Sequence, residues 1–282
     1  MLLAFDVGNT NIVVGVFKDG ELITNWRMET DTKKSADEYG MIISRLFEYE
    51  GLDMKAVEDT IISTVVPSIL FTLQHLSQKY FHTKAIVVES GVKTGLIVKY
   101  DNPKQVGADR IVNAVATLKK YGGPAIVIDF GTATTFCAIT EKGEYLGGTI
   151  VPGVKIMADA LVERTAQLPN VELMPPGKVI CRNTIESIQS GLVYGNMGIV
   201  EFITEKMKKE MEQYRTSDRP IQVIATGGLS TMMEKGTNCI DHVDKLLTLI
   251  GLEIIYQKNK NSRKKERLAT SPEGEEQETQ MK

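Results

Sequence analysis

The sequence of 282 residues is poor in the residues that build disulfide frameworks and zinc sites. Its three cysteines (Cys137, Cys181 and Cys239) form no CxxC pair, and its three histidines have no metal-ligand spacing. Scattered thiols of this kind are typical of a reducing compartment. We therefore expect a cytoplasmic protein that uses neither disulfides, nor zinc, nor histidine-based catalysis.

Excess positive charge and long apolar runs are also missing. Lys and Arg number 33 against 36 Asp and Glu, which gives a formal net charge of −3. Without surplus cations to release phosphate counterions, we expect no general nucleic-acid binding. No run approaches the roughly 20 apolar residues of a membrane span, and the apolar start is too short for a secretory signal. We expect no membrane segment.

Two common phosphate-binding loops are absent as well. The Walker pattern GxxxxGK[ST] does not occur, because Gly177-Lys178 is followed by Val179. No GxGxxG follows a predicted strand. A nucleotide would have to be bound by another arrangement.

What the sequence does contain is one local pattern that occurs twice. An apolar run ends in Asp6, and another ends in Asp129; each is followed by a glycine two residues later and by a second apolar run. Each copy predicts a β-hairpin. The offset is 129 − 6 = 123 residues, and a looser echo of residues 62–65 at 225–229 keeps the same order. The two echoes predict an internal duplication with its boundary near residues 121–124.

Helix and strand patterns alternate in both halves, so we expect an α/β fold. Ser35 and Glu38 form a capping-box pattern ahead of an apolar helical face. We predict one domain over residues 1–121 and a second over 122–257. The charged segment 258–282 has no apolar periodicity, which predicts a disordered or frayed tail.

The repeated hairpins suggest a chemistry. A carboxylate at the end of a buried strand would repel phosphate directly, so its natural role is to hold a cation that bridges to phosphate oxygens. The neighbouring glycine allows close backbone approach, and turn N–H groups can bind phosphate. Two such loops facing each other would clamp a nucleotide. The alternative is that Asp6 and Asp129 only cap their turns, which the repetition disfavours.

Residues 100–110 form the richest segment between the halves. Asp109 and Arg110 fall at the predicted start of a helix, where the helix dipole favours an ionised carboxylate. Asp109 suits the orientation or deprotonation of a substrate hydroxyl, and Arg110 suits a substrate carboxylate or the transferred phosphoryl group. A helix cap and a surface ion pair remain the alternative on spacing alone.

Two further segments have open interpretations. Thr184 is predicted as a helix N-cap, and Gly191 and Gly195 on that helix would admit a neighbouring element or a second subunit. Residues 226–228 (Thr-Gly-Gly) predict either a close approach to a nucleoside or only a tight turn.

Together these residues resemble the type III pantothenate kinase family, in family order from residue 6 to about residue 256. The segments that carry the resemblance are Asp6-Val7-Gly8-Asn9-Thr10-Asn11, Tyr100-Asp101-Asn102-Pro103, Gly107-Ala108-Asp109-Arg110, Asp129-Phe130-Gly131-Thr132-Ala133-Thr134, Gly147-Gly148-Thr149-Ile150-Val151-Pro152-Gly153, Asn183-Thr184 and Thr226-Gly227-Gly228.

The resemblance implies the actin/hexokinase-like fold, with two RNase H-like domains duplicated around a nucleotide cleft. It implies ATP-dependent phosphorylation of pantothenate to 4′-phosphopantothenate, the first step of coenzyme A synthesis, by a homodimer. It also implies K⁺ or NH₄⁺ as a monovalent cofactor, and Mg²⁺ with the ATP.

The resemblance also implies site residues. Asp129 would bind the monovalent cation, Asp6 is a candidate ligand of the divalent one, and Asp109 would accept the proton. Thr184 would touch pantothenate near a dimer interface. The ATP-binding set would be Asp6, Val7, Gly8, Asn9, Thr10, Asn11, Ile12, Val13 and Thr132. The pantothenate-binding set would be Tyr100, Gly107, Ala108, Asp109, Arg110 and Thr184.

Cys137 departs from the pattern, since a polar or acidic residue is expected there, and the charged tail lies outside it. Two other functions stay open: a kinase or phosphatase for another small substrate, such as a sugar or polyphosphate, and a non-catalytic nucleotide-dependent regulator. The match of residues 100–110 to the pantothenate pocket disfavours the first. A regulator is expected to have lost the proton acceptor or a phosphate loop, and this sequence keeps both.

Overall fold

The computed structural model describes the backbone of residues 1–269 and the side chains of residues 1–261. Its first sheet has five strands, which are β1 (Leu2–Val7), β2 (Asn11–Lys18), β3 (Glu21–Glu29), β4 (Asp59–Thr64) and β5 (Ile86–Val87). Their order in the sheet is β3-β2-β1-β4-β5. β1 runs antiparallel to β2 and parallel to β4. The predicted first hairpin is therefore the centre of this sheet.

The second sheet repeats this arrangement. Its strands are β6 (Ile97–Val98), β7 (Ala125–Phe130), β8 (Ala133–Ile139), β9 (Glu144–Pro152), β10 (Gln222–Gly227) and β11 (His242–Val243). The order is β11-β10-β7-β8-β9-β6, with β7 antiparallel to β8 and parallel to β10. Apart from the added β6, the second sheet has the strand order of the first: when its order is read backwards, β9, β8, β7, β10 and β11 correspond to β3, β2, β1, β4 and β5.

The register of the two sheets confirms the duplication read from the sequence. Asp6 on β1 stands opposite Ser63 on β4, and Asp129 on β7 stands opposite Thr226 on β10. Both echoes in the sequence thus mark equivalent points of two sheets with the same topology. The predicted α/β class and its two-sheet, duplicated architecture are confirmed.

Seven α-helices complete the described part of the chain: α1 (Ala36–Tyr49), α2 (Pro67–Phe81), α3 (Ala108–Lys120), α4 (Val154–Glu163), α5 (Thr184–Met211), α6 (Ser230–Glu234) and α7 (Leu247–Ala269). α1 and α2 cover the first sheet, and α4 and α5 cover the second. None of the helices in the described residues is long and apolar enough to cross a membrane.

Two elements tie the halves together. β6, from the first 121 residues, pairs with β9 of the second sheet. α7, from the end of the chain, packs against α3 and against the face of β1 that lies opposite α1 and α2, where Leu249, Leu252 and Ile255 join the core around Leu2. A side chain at Gly251 would lie 2.2 Å from the Val112 carbonyl oxygen, so α3 and α7 meet closely there. The division at residue 121 stays a prediction.

Local sequence signals explain the starts of α1, α2 and α5. Ser35 and Glu38 form both hydrogen bonds of the capping box at α1, and Pro67 occupies the first turn of α2, where its missing N–H does no harm. At α5 the prediction is off by one residue. The N-cap is Asn183, whose side chain accepts the N–H of Glu186 at 2.9 Å, and Thr184 is the first helical residue.

The tail also differs from the expectation of disorder from residue 258. α7 continues as a helix through Ala269. Lys258 donates a hydrogen bond to the Thr94 carbonyl at 2.8 Å, and the Asn259 amide bonds the backbone of Lys93. These contacts dock the start of the charged segment onto the first half. The remainder of the predicted tail, residues 270–282, lies outside the described residues.

Candidate active site

The turn between β1 and β2 is a compact loop held by its own backbone. The Gly8 N–H donates to the Asn11 carbonyl at 3.0 Å, and Thr30 on the adjoining segment bonds both Gly8 and Thr10. Asn9 and Thr10 are exposed. The side chains of Val7 and Ile12 are instead buried in the hydrophobic core, so these two residues could reach a nucleotide only through their backbone.

The turn between β7 and β8 mirrors it. The Gly131 N–H donates to the Ala133 carbonyl at 3.1 Å, and the Gly153 N–H donates to the Thr132 carbonyl at 3.1 Å. A side chain at Gly153 would lie 2.3 Å from that carbonyl oxygen, so only glycine fits there. The close contact packs the start of α4 against this loop.

The two loops meet directly. The Thr10 and Thr132 hydroxyls lie 3.0 Å apart and share a hydrogen bond across 122 residues of sequence. Both side chains are exposed, so the contact lies at the rim of the junction between the sheets. Two of the residues predicted to bind ATP, one from each hairpin, are thereby brought together.

Three carboxylates, those of Asp6, Asp109 and Asp129, lie close enough to one another for their charges to interact. Burial raises the pKa of Asp6 to about 8, with further increases from the charges of Asp109 and Asp129 and an opposing effect of Arg27. Burial raises the pKa of Asp129 to about 7, and the Asp109 charge adds to the increase. Because burial and nearby negative charges disfavour the ionised form, these carboxyl groups tend to remain protonated near neutral pH. A bound cation would relieve this repulsion and favour the ionised carboxylates.

Asp109 enters this group from the first turn of α3. Its Oδ1 accepts the backbone N–H of Arg110 at 2.8 Å, and a side chain at Gly107 would lie 2.6 Å from the same oxygen. The helix start was expected to favour the ionised carboxylate. Burial instead raises the pKa of Asp109, and the hydrogen bond from Arg110 offsets the increase only partly. A basic carboxylate of this kind is suited to accept a proton.

The guanidinium of Arg110 is buried between aromatic side chains. Its guanidinium carbon lies 5.9 Å from the centre of the Tyr100 ring and 5.7 Å from that of Tyr145. Its Nε donates to the Cys137 sulfur at 3.3 Å. The structure thus joins two predicted substrate-binding residues, Tyr100 and Arg110, through residues of β8 and β9.

Asn113, which was not among the predicted site residues, and Gly227, from the segment 226–228 predicted as either a nucleoside contact or a tight turn, both lie against Asp129. The Asn113 amide donates to Asp129 Oδ2 at 3.1 Å, and the Thr248 hydroxyl donates to Asn113 Oδ1 at 2.8 Å. Gly227 has φ +87°, and a side chain there would lie 2.6 Å from Asp129 Oδ1. An asparagine within the apolar face of α3 was the available signal for Asn113.

A divalent cation would fit this carboxylate group only if a bound nucleotide supplied further oxygen ligands. No set of three or more His, Cys, Asp or Glu side chains among the described residues is arranged to hold a metal by itself. Mg²⁺ in nucleotide sites is commonly held by one or two carboxylates together with phosphate oxygens and water. The ionised forms of Asp6 and Asp129 are unfavourable without a cation, so the two carboxyl groups match that kind of site.

Thr184 stands apart from the other predicted residues. It is exposed at the start of α5, and no hydrogen bond in the described part of the chain links it to residues 100–110. Gly191 and Gly195 on the same helix are also exposed, and a side chain at either would have nothing within 4 Å. Of the two interpretations of these glycines, a neighbouring element of the same chain is excluded within the described residues.

Solved structures with this fold include proteins of diverse description. One from Campylobacter jejuni, described as a conserved Baf family transcriptional activator, has a TM-score of 0.56 at 19% identity, covering 92% of this chain and 99% of its own. Another, described as a 2-dehydro-3-deoxygalactonokinase protein from Sinorhizobium meliloti, has a TM-score of 0.51 at 9% identity, covering 91% of this chain and 98% of its own. At these identities the likeness concerns the fold alone.

The family comparison is more specific. The model of the type III pantothenate kinase family matches residues 2–206, which include both hairpin loops, α3 and the start of α5. The match thus spans most of both sheets, which share one topology. The chain belongs to the type III pantothenate kinase family and is a kinase.

Proposed function

We propose that the protein transfers the γ-phosphoryl group of ATP to pantothenate, yielding 4′-phosphopantothenate in the first step of coenzyme A synthesis. The observation that carries the proposal is that the charges of Asp6, Asp109 and Asp129 interact, and that the hairpin loops following Asp6 and Asp129 touch through Thr10 and Thr132. Phosphoryl transfer requires mainly in-line positioning and charge neutralisation. Two phosphate loops, cation-binding carboxylates and one basic carboxylate supply these.

In the proposed complex the loops bind the triphosphate from both sides. Within the predicted ATP-binding segment 6–13, N–H groups of the exposed turn donate hydrogen bonds to phosphate oxygens, and so does the Thr132 hydroxyl. Asp129 would hold K⁺ or NH₄⁺, and Asp6 would hold Mg²⁺. When bound, Mg²⁺ neutralises charge that accumulates on the phosphate oxygens. The raised pKa values of both carboxyls support a role in cation binding.

Asp109 is the proposed proton acceptor. The primary hydroxyl of pantothenate donates a hydrogen bond to its carboxylate, which takes the proton as the hydroxyl oxygen bonds to the γ-phosphorus. The bond from the γ-phosphorus to the bridging oxygen breaks, and ADP leaves. The backbone of Gly107 and Ala108 and the side chains of Tyr100 and Arg110 hold the rest of pantothenate.

The proposed assembly is a cytoplasmic homodimer in which Thr184 contacts pantothenate near the interface. The open glycine positions on α5, flanked by Ile185 and Phe202 with exposures of 51% and 62%, support a close approach by a second subunit. Three free cysteines support a reducing compartment.

A coupled ADP-release assay tests the proposal with pantothenate, a panel of sugars and no acceptor. We expect ADP release that depends on pantothenate, together with a phosphorylated product of matching mass. Equal turnover on sugars would favour a sugar kinase. If the rate of ADP release were the same with and without an acceptor, the proposed reaction would be contradicted. ATP binding without any turnover would favour a regulator.

A further inference from the structure

Arg110 is a buried cation without a carboxylate partner. Its exposure is 6%, and none of the ion pairs among the described residues includes it. The adjacent Asp109 forms no ion pair with the guanidinium: its carboxylate accepts backbone N–H groups, including that of Arg110 at 2.8 Å, although the Arg110 charge lowers its pKa. Nη2 is buried and has no hydrogen-bond partner in the described structure. Burial of an unpaired charge is unfavourable, so this guanidinium calls for an anionic partner.

What does touch the guanidinium is neutral. Tyr100 and Tyr145 present their rings to it, a side-chain hydrogen bond joins it to Tyr100, and the Cys137 sulfur accepts its Nε–H at 3.3 Å. The Tyr145 hydroxyl donates to the same sulfur, also at 3.3 Å. Cys137 is 3% exposed, and burial raises the pKa of its thiol against the opposing effect of Arg110. The sulfur is therefore an uncharged acceptor that receives two hydrogen bonds.

This geometry fixes the guanidinium without neutralising it. The hydrogen bond to Nε sets the plane of the group, and the two rings confine it from the side. β8 carries Cys137 and β9 carries Tyr145, and both strands belong to the rigid second sheet. The orientation of Arg110 therefore depends on a residue that would contact neither substrate.

We infer that Cys137 is a positioning residue, which orients Arg110 so that its uncompensated guanidinium receives an oxyanion of the bound substrates. This inference rests on the proposed function. The oxyanion is either the carboxylate of the acceptor or the phosphoryl group in transfer. The Cys137 sulfur would touch neither substrate, so it would affect the reaction only by orienting Arg110.

The test compares Cys137→Ala, which removes the acceptor, with Cys137→Ser, which restores a neutral one. Because a hydrogen bond to a charged group is among the stronger ones, we expect Cys137→Ala to change one pantothenate parameter by about tenfold. A higher KM for pantothenate identifies the carboxylate as the oxyanion, and a lower kcat identifies the phosphoryl group. In both cases the KM for ATP stays near the wild-type value, and Cys137→Ser restores most of the loss.

A readout independent of activity separates this inference from the proposed function. The Nε–H of Arg110 should give a nitrogen-15 NMR signal that is protected from hydrogen exchange in the wild type and in Cys137→Ser, and unprotected in Cys137→Ala. Protection in all three proteins, or wild-type kinetics in Cys137→Ala, would overturn the inference. Equal loss in the serine and alanine variants would also overturn it, because packing alone would then explain both. Failure of wild-type turnover with pantothenate would count only against the proposed reaction.

Discussion

Asp109 is the residue on which proton transfer depends in the proposed reaction. Asp109→Asn keeps the shape of the side chain and an oxygen that can accept the Arg110 N–H, but it removes the basic site. We expect kcat to fall by about 10²–10⁴-fold, the usual contribution of a general base. ATP affinity should be unchanged, as measured by calorimetry.

The control for this substitution is Asp218→Asn, which changes an exposed carboxylate outside the predicted site segments. Its kcat should stay within about threefold of the wild type, as for surface substitutions generally. Near-normal turnover in Asp109→Asn would remove Asp109 from the role of proton acceptor.

Asp129 makes the cation-free protein less stable as the pH rises. The pKa of this carboxyl is about 7 in the folded protein against an ordinary value of 3.8, so between these values the folded state binds a proton that the unfolded state has lost. Stability must therefore decrease across this pH range. Asp129→Asn removes this effect, and its Tm should exceed that of the wild type by a margin that grows from pH 4 to pH 8.

Thermal unfolding at both pH values, with Asp218→Asn as an exposed control, measures this margin. A margin that shrinks with pH would contradict the assigned cause. Added K⁺ should stabilise the wild type more at pH 8 than at pH 5, because the cation binds the ionised carboxylate.

Cation choice gives a separate prediction for Asp129. If its carboxylate holds K⁺ or NH₄⁺, replacement of K⁺ by Na⁺ at constant ionic strength should lower kcat, since the smaller ion fits the same oxygen ligands less well. Steady-state rates in the two chloride salts measure the effect. Equal rates would count against Asp129 as the monovalent-cation ligand.

At the scale of elements, the turn after β10 depends on Gly227. Its φ of +87° is unfavourable for other residues, and a side chain would lie 2.6 Å from both Asp129 Oδ1 and the Phe130 carbonyl oxygen. We expect Gly227→Ala to destabilise the protein by about 2–4 kcal/mol, from strain plus displacement of β7. It should also reduce any dependence of activity on K⁺.

Gly177→Ala is the matched control in urea unfolding. Gly177 has a similar φ of +77°, but a side chain there would have nothing within 4 Å. Only the conformational cost remains, about 1 kcal/mol. Similar losses in the two variants would show that the close approach to Asp129 is unimportant.

At the scale of the whole molecule, the exposed glycine face of α5 bears on assembly. Gly195→Arg adds a long charged side chain where nothing lies within 4 Å in the single chain. Arginine is also a better helix former than glycine by roughly 0.8 kcal/mol, so the folded monomer should not suffer. If this face is the dimer interface, sedimentation should change from dimer to monomer.

Tyr49→Arg, at a site on α1 that is 87% exposed, is the control and should sediment as the wild type does. A Gly195→Arg protein that remains dimeric would exclude this face. A monomer with a raised KM for pantothenate would further support the placement of Thr184 near the partner subunit.

The amino-acid sequence by itself determined the two hairpins, their duplication, the helix caps and the family. These are properties of local spacing, such as an apolar run that ends in Asp6 or Asp129, so they can be read without knowing what packs where. It also placed Asp109 and Arg110 at a helix start. It erred by one residue at the cap of α5, because Asn183 and Thr184 are both good caps.

Only the tertiary structure decided what surrounds those residues. Asn113 reaches Asp129, and Cys137 reaches Arg110, through packing between segments that no periodicity links. The contacts of Lys258 and Asn259 on α7 with the first half join residues more than 160 positions apart. Side-chain partners and electrostatic environment are set by three-dimensional proximity, and for that reason the raised pKa of Asp109 could not be predicted from its position in the helix.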